Sequence, residues 1–358
     1  MPIRLLVINP GSTSTKVAVY AGDRPLFVDA VEHSQTELAK YGNINDQYPL
    51  RKKAVLAMLG THDIKLESIT AVVARGGLLP PVNSGAYRVN EDMVFQLTYH
   101  PQNEHASNLG AIIAHSIAQQ LGIEAYIYDP VTVDELEPIA RVTGLPEMER
   151  KGMGHNLNMR ASAIRYAQQV NRPYNQLTLI VVHLGGGITL SLHKKGRMID
   201  MISDDEGPFS PERAGGLPGF QLIKMATSPD YDYKRLMNKV RTQGGLMAYF
   251  GTTDARKVEA KVKAGDEKAA LIYEALAHNV AKNIGKLAVV VAGKLDAIIL
   301  TGGMAHSSLL TGWIEKRVSF IAPVVVLAGE NEMEALAQGA LRVLRGEEQA
   351  REFVKSYS

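Results

Sequence analysis

The feature that most constrains this chain is an internal repeat. Residues 3 to 31 read as an apolar strand from Ile3 to Ile8, a small-residue turn at Pro10-Gly11-Ser12, a second strand from Lys16 to Tyr20, a turn at Gly22-Asp23, and a third strand. Residues 178 to 202 repeat that order: Thr178 to Val182, a turn at Gly185-Gly186-Gly187, a strand to His193, a turn at Gly196, and Arg197 to Ile202. The offset is 174 residues at both turns, Gly11 to Gly185 and Gly22 to Gly196. A second echo follows in the same order. Ile69 to Gly77 and Leu295 to Gly303 each form an apolar strand running into a glycine pair, with helix-like sequence before it. One echo alone is within reach of chance. Two in the same order imply a duplicated α/β unit. The repeat arithmetic predicts an N-terminal domain over 1–170 and a C-terminal domain over 171–358, with the last helix, from Glu332, returning to the first.

A chain of 358 residues is long enough for two cores of ordinary size. Lys and Arg total 39 against 37 Asp and Glu, so bulk charge gives no reason to expect a nucleic-acid or anionic-membrane partner. Any anion site must be local. Cysteine is absent, which removes disulfides, thiolate metal ligands and thiol nucleophiles and fits a reducing compartment. The N-terminal apolar run is too short for a signal peptide, and no stretch reaches bilayer-spanning length. A cytoplasmic protein is expected.

In Asn9-Pro10-Gly11-Ser12-Thr13-Ser14-Thr15-Lys16, a hairpin turn offers backbone N–H groups, hydroxyls and a Lys, the equipment for cradling phosphate oxygens. It is not a Walker loop, because GK[ST] is missing and a strand follows instead of a helix. Taken alone, it reads more readily as an ordinary polar hairpin turn. The second turn, His183-Leu184-Gly185-Gly186-Gly187, has more glycine than a hairpin needs, which suggests close approach of a ligand to the backbone. Thr301-Gly302-Gly303-Met304 ends an apolar strand before a helix, where open α/β sheets hold ligands.

The set INPGSTSTK, HLGGG and LTGGMAHSS resembles the phosphate and adenosine motifs of the acetate and sugar kinase and actin superfamily. The longer strings RGGLLPP, EHASNLGAIIA, DPVTVDE, EGPFSPERAGGLPG, GTTDARKVE and GENEMEALAQGALRVLRGEE resemble the butyrate kinases and branched-chain fatty-acid kinases of the acetokinase family. The resemblance spans nearly the whole chain. It implies two ribonuclease-H-like α/β domains, as in actin-like ATPases, with an active-site cleft between them. It also implies reversible ATP-dependent phosphorylation of a short or branched fatty acid to an acyl phosphate plus ADP, with Mg2+, in a homo-oligomer. A sugar kinase or a non-catalytic nucleotide switch of the same superfamily would carry Asp in the first turn, where this chain has Asn9.

A fatty acid is already ionised at neutral pH, so the reaction needs no general base for the nucleophile. It needs two anions aligned and the charge on the phosphoryl group stabilised in flight. By resemblance, His105, His155 and Arg213 surround that group. Asn9 and Glu332 hold Mg2+ and its waters, and Asp129 orients a metal-bound water. Lys16, His183 and Gly185 to Gly187 meet the nucleotide phosphates; Asp254, Ala255, Arg256, Gly302, Gly303 and Met304 border the adenosine. Acetate kinases place the substrate-carboxylate Arg where this chain has Val72, so Arg75 takes that role by neighbourhood. Where butyrate kinases have Phe before the catalytic His, this chain has Gly154, which predicts a widened acid pocket.

Overall fold

The computed structural model describes residues 3–355. They form two compact units: residues up to Asp134 together with those from Asn331 onward, and Glu135–Glu330. The described strands are β1 (Arg4–Pro10), β2 (Ser14–Ala21), β3 (Arg24–Glu32), β4 (Ala71–Arg75), β5 (Ala86–Arg88), β6 (Glu124–Tyr128), β7 (Thr178–Leu184), β8 (Ile188–Lys194), β9 (Arg197–Ile202), β10 (Ala297–Gly302), β11 (Val324–Ala328) and β12 (Arg351–Glu352).

In the first unit the strand order is β12-β5-β6-β4-β1-β2-β3. The strands β1, β2 and β3 form an antiparallel meander, and β4 and β6 continue parallel to β1. Leu5 to Ile8 and Ala71 to Ala74 are fully buried, the unbroken apolar runs expected of central strands covered on both faces. Leu6 and Ile8 share a core with Leu109, Ile113 and Ile117 of the helix Asn108–Leu121. Alternate residues of a strand point to the opposite face. The helix Glu332–Leu344 also packs on β1 and β6, with Gly339 against the Tyr128 ring.

The second unit has the order β11-β10-β7-β8-β9. Its pairing repeats that of the first: β7, β8 and β9 form an antiparallel meander and β10 lies parallel to β7. Each middle strand even shifts register once, at Val19/Tyr20 and at Leu192/His193. The helices Glu267–Val290 and Ser308–Val318 cover the core built on Ile180, Val182, Leu190, Ile298 and Leu300. No helix among the described residues is long and apolar enough to cross a membrane.

The expected boundary near residue 170 is corrected to 134/135. The helix Asn156–Gln169 packs on β7 and β10, and Ser191 donates to its Met159 Sδ at 3.3 Å. Upstream, the Glu137 N–H bonds the Ile199 carbonyl of β9 at 2.9 Å. The echoes date the strands, but which sheet an intervening helix covers is decided by tertiary packing.

Candidate active site

In the first unit, β1 and β4 end side by side and bring Asn9 and Arg75 to the start of the helix Glu332–Leu344. Asn9 Nδ2 donates to Glu332 Oε2 at 2.8 Å, and Arg75 Nη1 donates to Glu332 Oε1. One carboxylate, favoured at a helix N-terminus, therefore joins three residues singled out from sequence. Lys16 is exposed on β2, paired in register with Asn9.

His105 keeps solvent contact. Its Nδ1 accepts from the Ser107 N–H at 3.1 Å and lies 2.8 Å from the Ser107 hydroxyl. That fixes the neutral tautomer with the proton on Nε2. Loss of hydration, then the charges of Arg75 and Arg51, hold its pKa below the usual His value. Asp129 follows β6 with a left-handed backbone (φ 39°) and is buried. Its Oδ1 accepts the Gly85 N–H at 2.7 Å. A strained backbone at such a place is common at functional sites.

In the second unit, β7 delivers His183, which is 2% exposed. Its Nδ1 accepts from Asn158 Nδ2 at 2.9 Å, so Nε2 carries the proton and faces Glu330 Oε1 at 3.2 Å. The His155 ring stacks on His183 with centroids 3.8 Å apart, and His155 Nδ1 lies 3.0 Å from the Thr189 hydroxyl. Arg213 Nη1 donates to Asp204. The Arg213 loop is fastened to the glycine turn through Ser210, whose hydroxyl donates to the Gly186 carbonyl at 2.6 Å and accepts the Arg213 N–H at 3.1 Å.

The glycines of this turn make room for the protein's own side chains. A Cβ on Gly185 would fall 2.6 Å from His183 Nε2 and 2.7 Å from Glu330 Oε1. A Cβ on Gly187 would fall 2.6 Å from Arg213 Nη1 and 3.2 Å from His155 Cε1.

Beside the turn lies a cavity of about 1040 Å³ walled by Gly185, Gly186, Asp254, Ala255, Arg256, Gly303 and Met304. Asp254 caps the helix Ala255–Lys263 and grips Arg256 at Nε (2.9 Å) and Nη2 (3.0 Å), which holds the Asp254 pKa below the usual carboxylate range. Gly302 does not line this cavity. It sits buried at the end of β10 with φ 90°, its missing Cβ directed at the Leu184 carbonyl oxygen.

Sequence reasoning missed several residues here. Glu330, Glu259, Ser307 and Tyr273 also line the cavity. The Tyr273 hydroxyl is buried, and that burial pushes its pKa up to about 12. Glu330 was within reach, since it is the second residue of the string that contains Glu332. The widened pocket expected from Gly154 is corrected: a side chain there would run into Met201 Sδ at 3.0 Å and Thr189 Oγ1 at 3.3 Å. That is the packing beneath His155.

The His183 hydrogen bond, more than any other influence, holds the Glu330 pKa down at about 2. A depressed carboxylate contributes stability that is full above its unfolded pKa of about 4.3 and is lost as pH falls through the folded value. Glu330→Gln should therefore melt below the wild type at neutral pH, with the gap narrowing from about pH 4.3 towards pH 2. The side chain is 42% exposed, so screening keeps the gap small. Thermal melts of both proteins from pH 7 to pH 3 check this, and a gap that stays constant counts against the pair.

The fold is that of acetate, propionate and sugar kinases. The structure is similar to an acetate kinase from Porphyromonas gingivalis, at TM-score 0.77 and 17% identity over 96% of this chain and 100% of that one. It is similar to a propionate kinase from Francisella tularensis subsp. tularensis SCHU S4, at 0.73 and 18% over 94% and 98%. A ROK hexokinase from Thermus thermophilus matches at 0.51 and 13% over 96% and 99%. Within that class, residues 150–319 match the model of the acetokinase family, a stretch that carries His155, His183, the glycine turn, Arg213 and Asp254.

Proposed function

We propose that this chain is an ATP-dependent carboxylate kinase that converts butyrate, or a related short or branched fatty acid such as propionate or isobutyrate, reversibly to its acyl phosphate. The observation that carries this reading is the convergence of His155 and Arg213 on Gly187, beside a cavity large enough for a nucleotide. These groups donate hydrogen bonds and positive charge, which a phosphoryl group in flight requires.

In this reading Asp254, Ala255, Arg256, Gly303 and Met304 receive the adenosine, and Lys16 and the glycine turn receive the phosphates. His105 offers its Nε2–H to the transferring group. Arg75 binds the acid carboxylate, exchanging its Glu332 partner for the substrate. Asn9, whose Nδ2 donates to Glu332 Oε2, and Glu332 itself would supply an amide and a carboxylate oxygen of the hard kind that suits Mg2+ with its waters and phosphate oxygens. When bound, Mg2+ neutralises phosphate charge, and Asp129 would orient one of its waters.

The test is ATP consumption with butyrate, isobutyrate, propionate, acetate, glycerol, glucose or no acceptor, with acyl phosphate trapped by hydroxylamine. Turnover and hydroxamate are expected with the carboxylates alone. Turnover on glycerol or glucose would make the chain a sugar kinase, and acceptor-independent hydrolysis a nucleotide switch.

A further inference from the structure

Arg51, in the helix Tyr48–Thr61, is 0% exposed. Its Nη1 donates to the carbonyls of Gly11 (2.9 Å) and Ser14 (3.0 Å) and to Thr15 Oγ1 (3.1 Å). Its Nη2 donates to the Ser12 carbonyl at 3.1 Å, and its Nε donates to Gln47 Oε1 at 3.0 Å. None of these partners is charged, and Arg51 forms no ion pair among the described residues. The adjoining His33, 2.9 Å from Thr15 Oγ1, has its pKa lowered by burial first and by Arg51 second. His33 is no counter-ion in either protonation state, and its acidic neighbour Glu37 lies 3.9 Å from its Nδ1.

The bonds sort the turn by polarity. The carbonyls of Gly11, Ser12 and Ser14 are turned inward to Arg51, and the Thr13 carbonyl accepts the His33 N–H at 2.7 Å. On the other side, the N–H groups of Ser12 and Thr13 make no hydrogen bond among the described residues, and both residues are exposed. A turn with its carbonyls consumed and successive N–H groups outward is an anion cradle. Beneath it lies a buried cation without a counter-ion, which a folded protein carries at a cost.

We infer that Arg51 is the positioning residue of this cradle: its guanidinium fixes the turn with N–H groups outward, and the phosphate chain of the bound nucleotide completes its charge. Resting on the kinase reading for the identity of the ligand, the inference separates Arg51 from a residue that merely fastens a helix to a hairpin. A fastener affects melting temperature. A cradle-former also affects anion binding. Lysine keeps the charge but concentrates its donors on one nitrogen, so it cannot occupy the positions of Nη1, Nη2 and Nε that reach the turn carbonyls and Gln47 together.

The experiment compares wild type with Arg51→Lys in two assays: the melting shift produced by inorganic pyrophosphate, and steady-state kinetics. The variant is expected to lose more than about half of the shift, and its KM for ATP to rise about tenfold with KM for the acid within about twofold. A lower melting temperature with the pyrophosphate shift and KM for ATP intact would overturn the inference. Should Arg51→Lys not fold, Gln47→Ala releases one of the five bonds, and a rise in KM for ATP of about two- to threefold is expected. No change in that variant would also overturn it. A wild type that shows the pyrophosphate shift without turning over ATP defeats the kinase reading and leaves the cradle standing.

Discussion

Arg213→Ala is expected to lower kcat by roughly 10²–10³ while leaving KM for ATP within a few-fold. The guanidinium is held by Asp204 above Gly187, and its loop is tied by Ser210 to the turn assigned to the phosphates. In the proposed reaction a cation fixed there would act on charge that develops as the phosphoryl group moves, worth about 2.7–4 kcal/mol of transition-state stabilisation. Arg213→Lys keeps the charge but not the planar fork, so it should recover only part of the loss. Steady-state kinetics of both variants decide the matter. A large rise in KM for ATP with kcat preserved would make Arg213 a ground-state binder and refute the assignment.

Gly187→Ala should lower kcat by roughly 10² without unfolding the protein. The backbone of Gly187 does not lie in the left-handed region, so alanine is tolerated there. The added methyl meets Nη1 of Arg213 at 2.6 Å and Cζ at 2.9 Å, the mobile end of a long side chain, and His155 Cε1 at 3.2 Å. The clash is relieved by moving the two groups proposed to face the phosphoryl group, and a displacement of about 1 Å in such groups costs about 10²-fold in rate. Gly302→Ala is the contrast. Its methyl would fall 2.4 Å from a backbone carbonyl, at φ 90°, and the expected loss is of stability. Melting temperature and kcat measured together separate the two, and full activity in Gly187→Ala would remove His155 and Arg213 from the phosphoryl position.

The duplication was legible because strands announce themselves. Two meanders of apolar runs between glycine turns stand 174 residues apart, and the structure pairs both in the same sense. The limits of the units were not legible, because the helix Asn156–Gln169 gives no sign of which sheet it will cover. Much the same divides the site. Asn9, His155, Arg213 and Asp254 sit in strings that resemble kinase motifs, and it is that resemblance, more than the residue types alone, that singles them out. Arg51 stands in Arg51-Lys52-Lys53, which looks like an ordinary solvated charge run, yet it is buried, Lys52 is partly covered and Lys53 is exposed. Asp204 is one of three successive acidic residues in a loop, and only the folded chain shows which of them reaches Arg213.

The bonds from Glu332 to Asn9 and Arg75 have a consequence for how the molecule is made. Translation runs from the N-terminal to the C-terminal side, so β1 to β6 emerge before the segment from Asn331 that their unit also requires, whereas Glu135–Glu330 is continuous. The middle of the chain can therefore finish folding while the beginning still waits, exposing β1 and β4 without the helix Glu332–Leu344 that packs on them. Those strands are completed after the continuous unit that follows them, and the bonds from Glu332 to Asn9 and Arg75 form only once that helix has been translated.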